Sequence, residues 1–280
     1  MIEAVFFDID GTLLTGQAKP LHSTLRAIEK LHQEGILCVI ASGRGPKSAR
    51  SLIRGIPMDA FVLYNGQLVF TQDEGVFEHY FDADTLHDLA KFADENKREI
   101  VFGGRKEFYG SRSIRLGQKK VMKKMYAYLP KVNSNEKMDH MLEDLIPNKV
   151  RTHYYQSLPI YDKRIYQAVL LSPEAEQKEL EERFMNCTIT RSNPFSVDIV
   201  PKGGSKINGI RALAKHLNLD LNNCIAFGDN WNDVEMLTGV KYGIAMGNAP
   251  EGVQKLAYDV TSSNEEDGIY RALQKLEVIH

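Results

Sequence analysis

The stretch Val5-Phe6-Phe7-Asp8-Ile9-Asp10-Gly11-Thr12-Leu13-Leu14 decides how the chain is read. From Ile2 to Phe7 the sequence is apolar apart from Glu3, which predicts a short buried strand. Two carboxylates follow at once. In extended chain, side chains two residues apart point to the same side, so Asp8 and Asp10 are expected to face one spot where the strand ends. Close carboxylates repel each other, and a fold tolerates them when a cation or a proton stands between them. Gly11 permits a sharp turn. The plainer alternative is a strand end with an Asx turn, in which Thr12 caps a helix.

Working outward, Leu21, Leu25, Ile28 and Leu31 recur at helical spacing, and Gly35 stops that helix. Ile36-Leu37-Cys38-Val39-Ile40-Ala41 is a second buried strand, ending in Ser42-Gly43-Arg44-Gly45 before a helix opened by Pro46. Strand, helix, strand, helix predicts a parallel α/β sheet with right-handed crossovers. Phe61 to Tyr64 and Leu68 to Phe70, joined through Asn65-Gly66, read as a hairpin. From about Asp84 the alternation is lost. Short strands near 100–102, 108–111, 152–156 and 166–171, with helices between, predict an α+β insert over 84–191. It includes a basic helix with Lys119, Lys120, Lys123 and Lys124 beside Val121, Met122 and Met125. The first pattern then resumes. A helix with Lys206 in its first turn precedes the strand Cys224 to Phe227, which ends in Gly228-Asp229-Asn230-Trp231-Asn232-Asp233. A last core strand near Tyr242 to Met246 closes with Gly247-Asn248-Ala249-Pro250. Residues 1–83 and 192–280 thus form one core domain.

The chain has 280 residues, a net charge of −2, 43% hydrophobic and 26% charged residues. That suits a soluble globular protein and gives no reason to expect nucleic acid or an anionic membrane as partner. There is no apolar run of spanning length, and Met1 leads straight into the first strand without a secretory signal. Cys38, Cys187 and Cys224 lie in apolar, strand-like stretches, which fits reduced core thiols and a cytoplasmic location. No His is near any of them in sequence, and no Cys/His set has zinc spacing.

Three buried strands therefore end in polar clusters: Asp8/Asp10, Ser42/Gly43 and Asp229/Asn232/Asp233. In an open parallel sheet, ligands bind beyond the carboxyl ends of the strands, so the three predict one site. The carboxylates Asp8, Asp10, Asp229 and Asp233 suit Mg²⁺, a hard cation that takes oxygen ligands. Thr12, Ser42, Asn232, Lys206 and glycine-flanked amides are donors, and donors beside a carboxylate-bound metal suit a phosphate. Gly43-Arg44-Gly45-Pro46-Lys47-Ser48 and Gly203-Gly204-Ser205-Lys206-Ile207 both depart from the P-loop pattern.

These clusters, in this order, resemble the four motifs of the haloacid dehalogenase-like superfamily, and most closely its Cof-type phosphatases. Asn65-Gly66, Pro201 to Lys206, Ala245 to Ala249 and Glu266-Asp267-Gly268 are similar to the Cof pattern too. The resemblance implies an α/β fold: a Rossmann-like parallel-sheet core with an inserted α+β cap domain. It implies Asp8 as the nucleophile that takes the phosphoryl group and Asp10 as the acid and base. Mg²⁺ is expected on the Asp8 carboxylate, the Asp10 backbone carbonyl and Asp229, with Asp233 orienting its water ligands. Thr12, Ser42, Lys206, Asn232 and the amides of Ile9 and Gly43 are expected to hold the phosphoryl group. Arg44, Asn65 and Asn248 either reach the substrate or fix loops. The expected function is Mg²⁺-dependent hydrolysis of small phosphate monoesters, sugar phosphates or similar, through an aspartyl phosphate. A phosphomutase or phosphotransferase using the same intermediate, or a non-catalytic phosphate-binding regulator, are the alternatives; the intact Asp8, Asp10, Lys206 and Asp229 argue against the last. The partner is a small phosphorylated metabolite, and no motif speaks to oligomeric state. The cap is expected to choose the substrate, with Arg115, His153 and Tyr155 offering contacts to the leaving group.

Overall fold

The structure, a computed structural model, describes residues 1–111 and 154–280. Arg115, His153, Thr152 and the basic segment with Lys119 to Met125 lie outside the described residues. The described chain divides into two compact units, Met1–His79 with Val200–His280, and Tyr80–Ile199.

The first unit is built on an eight-stranded sheet. Its strands are β1 (Ala4–Phe7), β2 (Leu37–Ala41), β3 (Ala60–Leu63), β4 (Leu68–Thr71), β5 (Gly75–Glu78), β11 (Cys224–Gly228), β12 (Tyr242–Ala245) and β13 (Asp259–Val260), in the order β13-β12-β11-β1-β2-β3-β4-β5. From β13 to β3 every neighbouring pair is parallel; β4 and β5 turn back antiparallel. The central strands read as unbroken apolar runs because helices cover both faces of such a sheet. Every residue of β1 is buried. β1 lies between β11 and β2 with Phe7 level with both Phe227 and Ile40. The Phe7 and Phe227 rings stack 5.7 Å apart, so the residues after them emerge side by side.

The helices carry the apolar stripes that the sequence predicts. α1 (His22–Gln33) buries Ala27, Ile28 and Leu31, each large apolar side chain contributing about 2 kcal/mol. α2 (Pro46–Leu52) starts with proline at its first turn. Residues 11–21 form turns and no helix, so Thr12 caps nothing.

In the second unit, α3 (Ala83–Glu95) is capped by Asp82, whose carboxylate accepts from the Thr85 amide at 2.7 Å. A five-stranded sheet follows: β6 (Ile100–Gly104), β7 (Phe108–Gly110), β8 (Ile165–Leu171), β9 (Cys187–Asn193) and β10 (Ser196–Pro201), in the order β7-β6-β8-β10-β9. The β6–β7, β6–β8 and β8–β10 pairs are antiparallel. α4 (Gln177–Arg183) lies between β8 and β9. This unit is wider than the expected 84–191 segment, because β10 pairs with β8 through Ile199. Two expectations are corrected. Residues 154–156 form a turn, not a strand; the Asp94 carboxylate accepts from the Tyr155 and Gln156 amides at 2.9 and 3.0 Å. Tyr155 is 6% exposed in this unit's core, its hydroxyl donating to Glu99, so it is no surface contact for a ligand.

Back in the first unit, α5 (Lys206–Leu217), α6 (Val234–Gly239), α7 (Glu251–Gln254) and α8 (Gly268–Lys275) complete the layers. The hairpin between β3 and β4 has an unusual turn. Tyr64, Asn65 and Gly66 all have positive φ, at 53°, 52° and 89°, which is strained for the first two residues. Hydrogen bonds to the residues after β2 hold it: the Tyr64 amide donates to the Arg44 carbonyl and the Asn65 amide to the Ser42 carbonyl, both at 3.1 Å. A Cβ on Gly66 would stand 2.0 Å from the Ser205 carbonyl, so this turn seats directly on the start of α5. Gly66→Ala adds both backbone strain and that overlap. It is expected to destabilise the protein by about 1–3 kcal/mol, read as a lower urea midpoint with unchanged slope.

Candidate active site

β1 stops at Phe7, and its next residue is the first polar one. The Asp8 amide still continues the ladder, donating to the Phe227 carbonyl at 3.0 Å. Its side chain is buried, only 7% exposed, and meets Lys206. Lys206 opens α5 and is itself 1% exposed. Its Nζ donates to Asp8 Oδ1 at 2.5 Å and to Asp233 Oδ1 at 2.6 Å. A surface position for this lysine is thereby ruled out.

The third strand end supplies Asp229 and Asp233. After β11 the chain makes a single 3₁₀ turn, Trp231–Asp233, entered through Asn230. Asn230 and Asp233 form a capping box. Asp233 Oδ2 accepts from the amides of Asp229 and Asn230, both at 2.9 Å. Asp233 is thus saturated: one oxygen fixes the turn, the other holds Lys206. Thr12 Oγ1 donates to Asp229 Oδ1 at 2.9 Å. Gly11 lies at φ +81°, and a Cβ there would stand 2.3 Å from Asp229 Oδ2. The loop after β1 therefore closes tightly over Asp229.

Asp10 has a different setting. Its side chain is 55% exposed and takes a two-pronged ion pair from Arg44, with Nη2 donating to Oδ1 at 2.7 Å and Nε to Oδ2. Arg44 also donates from Nη1 to Ser48 Oγ at 2.9 Å, which anchors it on α2. Ser42 is buried, and its hydroxyl accepts from the Arg44 amide at 3.3 Å; Gly43 is half-buried between them. Asn232 Nδ2 donates to Asn65 Oδ1 at 3.3 Å, and Asn65 is 2% exposed. Ile9 is buried and its carbonyl accepts from the Leu14 amide at 3.0 Å.

Asn248 is spent on loops. Its Nδ2 donates to the Gly11 carbonyl at 2.8 Å and its Oδ1 accepts from the Asn264 amide at 3.0 Å. Asn264 Nδ2 in turn donates to the Leu14 carbonyl at 2.7 Å, and Glu265 accepts from the Gly16 amide at 2.6 Å. Asn264 and Glu265 were invisible to motif reading, although they adjoin the Glu266-Asp267-Gly268 motif. Their role is to hold the Gly11–Gly16 loop from the far end of the sequence.

A family profile for haloacid dehalogenase-like hydrolases matches residues 5–273. The chain belongs to this family. It is 30% identical over 277 residues to a Bacillus subtilis protein named "Putative phosphatase YkrA", with 98% of each chain covered. Among solved structures it is 27% identical, with a TM-score of 0.76, to a subclass IIB sugar phosphatase of the superfamily, covering 99% of this chain and all of that one. It is also 27% identical, with a TM-score of 0.78 and full coverage of both chains, to a structure from work on a trigonal-bipyramidal intermediate in a phosphoryl-transfer superfamily.

In this haloacid dehalogenase-like site the carboxylates crowd each other. Oxygens of Asp8, Asp229 and Asp233 lie within 4.8 Å of one another. Burial pushes Asp8 up to about 7; Lys206 opposes this, while Asp233 and Asp10 add to it. Burial, then the charges of Asp8 and Asp233, pushes Asp229 up to about 8. For Lys206, burial favours the neutral form, but Asp233 and Asp8 outweigh it and hold the ammonium charged. Asp8 is therefore the partner that gives way, and among the described residues Asp229 is hydrogen-bonded by the Thr12 hydroxyl and paired with no cation. A cluster of hard oxygens short of positive charge fits a divalent cation.

A pH dependence follows. Asp8 and Asp229 have folded pKa values above their unfolded ones. Their contribution is present at low pH and is lost as pH rises through about 7 and 8. In chelator, urea unfolding should show lower stability at about pH 8.5 than at about pH 5.5. Asp229→Asn should flatten that slope.

Proposed function

We propose that the chain is a Mg²⁺-dependent phosphatase of small phosphate monoesters, sugar phosphates among them, in which Asp8 is transiently phosphorylated. One observation carries the reading: a buried carboxylate, Asp8, held by a buried ammonium at 2.5 Å. Two residues further on, Asp10 stands at the surface. The sugar-phosphate part rests on the likeness to the sugar phosphatase described above.

A carboxylate is a competent nucleophile toward phosphorus, and its acyl phosphate is labile to water. Lys206 fixes one Asp8 oxygen and leaves the other to attack. As the new Asp8–phosphorus bond forms, the bond to the ester oxygen breaks, and Asp10, protonated from solvent once Arg44 turns to the anionic ester, gives that oxygen a proton. Asp10, now ionised, takes a proton from water; the water oxygen attacks phosphorus, orthophosphate departs and the Asp8 carboxylate returns. Lys206, Ser42, Asn232 and the amides of Ile9 and Gly43 donate to the phosphoryl oxygens, where charge is spread in a loose transition state. Arg44 fixes Asp10 before the ester arrives, and its planar fork also suits an anionic substrate. Thr12 holds Asp229 in place.

Asp8, Asp229 and the Asp10 backbone carbonyl would hold Mg²⁺, with Asp233 orienting the turn that carries Asp229. When bound, the cation supplies the positive charge that the carboxylates and an anionic ester both require. Every residue given a role lies in the first compact unit.

Asp8→Asn should lower turnover by roughly four orders of magnitude or more with an unchanged circular dichroism spectrum; ordinary activity would remove Asp8 as the nucleophile. Asp10→Asn should cost roughly 10²–10⁴-fold on a sugar phosphate and clearly less on p-nitrophenyl phosphate, whose leaving group hardly needs a proton. Phosphate release should cease in chelator and return with Mg²⁺.

A further inference from the structure

At the opposite end of the strands of the same sheet, residues from α1, β2 and the approach to β3 converge. His32 is in the last turn of α1, Cys38 near the start of β2, and Asp59 just before β3. These are amino-terminal strand ends; Asp8, Ser42 and Asp229 follow the carboxyl ends. His32 Nε2 lies 3.0 Å from Asp59 Oδ2, and the same oxygen accepts from the Cys38 amide at 2.7 Å. One ligand atom from each of the three, a nitrogen, a sulfur and an oxygen, lies within 4.8 Å of the others. His32 and Asp59 are half-exposed, while Cys38 is buried. A cavity of about 550 Å³ opens beside them, lined by Leu25, Glu29, His32, Gln33, Gly55 and Pro57. Glu29 is three residues before His32 on α1, so both lie on one helix face.

We propose that His32, Cys38 and Asp59 form a second metal site, for a borderline-soft divalent cation such as Zn²⁺. The donor set is the argument. Imidazole, thiolate and carboxylate together suit Zn²⁺, whereas Mg²⁺ takes oxygen alone. Zn²⁺ bond lengths place tetrahedral donors about 3.3–3.6 Å apart. The imidazole nitrogen and the carboxylate oxygen, at 3.0 Å, need to open slightly, and the sulfur, within 4.8 Å of both, closes on them. Water or Glu29, which lines the cavity together with His32, supplies the fourth ligand. The cation replaces the thiol proton, which goes to buffer: one metal in and one proton out. The site ties α1 to β2 and β3. Because it stands apart from the phosphoryl-transfer residues, it adds stability without taking part in turnover.

The test is titration of the chelator-treated full chain with Co²⁺ at pH 8, followed by absorbance. One equivalent should produce a near-ultraviolet sulfur-to-cobalt charge-transfer band, which the all-oxygen cluster at Asp8 and Asp229 cannot give. The band should be lost in Cys38→Ser and in His32→Ala, and kept in Asp229→Asn. Zn²⁺ should erase it and raise the Tm of the wild type but not of His32→Ala. His32→Ala, at a half-exposed position, should fold and keep full Mg²⁺-dependent activity even if Cys38→Ser does not fold. Absence of the band, or its persistence in His32→Ala through Cys187 or Cys224, overturns the proposal.

Discussion

A single ammonium group, Lys206 Nζ, ties together the elements that make this site. It reaches Asp8 and Asp233 at 2.5 and 2.6 Å from a side chain with no exposed surface. Removing a lysine from water is costly, and here only the two carboxylates offset that cost. Each of those carboxylates is bound to something else. Asp8 continues the β1 ladder, and Asp233 holds two amides of the turn after β11. One cation therefore couples the end of β1, the start of α5 and the turn that presents Asp229. Deleting Lys206 leaves two carboxylates uncompensated in a dry interior, whereas losing either carboxylate leaves a one-to-one pair.

The sheet brings these groups to within bonding distance. Level pairing of Phe7 with Phe227, reinforced by their stacked rings, makes Asp8 and Asp229 neighbours. The left-handed turn at Tyr64 to Gly66 then fixes α5 from the other side, since Gly66 lies against Ser205. Its strain is sustained by the Ser42 and Arg44 carbonyls, which belong to the site. Asn248, Asn264 and Glu265 perform the same service for the loop after β1. Much of what looks like a ring of ligands is thus a set of loops hydrogen-bonded to one another around two carboxylates.

Much of this was legible in the sequence, for physical reasons. Buried parallel strands must be apolar throughout, so β1, β2 and β11 announced themselves, and each ended where polarity began. Lys206 followed from its motif; composition alone would have left it on the surface. What the sequence hid was non-local. Asn264 bonds Leu14 across 250 positions of chain, and no local pattern records such a contact. His32, Cys38 and Asp59 have no metal spacing because three separate segments supply them. Tyr155 looked available because its aromatic ring and hydroxyl suit a ligand, yet that hydroxyl is used inside the second unit's core.

The expectation that Asp8 and Asp10 face one spot assumed that the strand runs through both. The ladder stops at Phe7, yet Asp10 stays close enough for its charge to act on Asp8. The consequence is chemical. Two carboxylates on one spot would share one environment and titrate as a pair. Asp8 and Asp10, though near each other, have different ones: Asp8 is buried against an ammonium and crowded by other acids, whereas Asp10 is half in water under a guanidinium. A reaction that needs one carboxylate to bond phosphorus and another to carry a proton requires that difference. The early end of β1 provides it, with only Ile9 between the two residues, and Ile9 itself is wholly buried and so pins the chain at the point where their environments diverge.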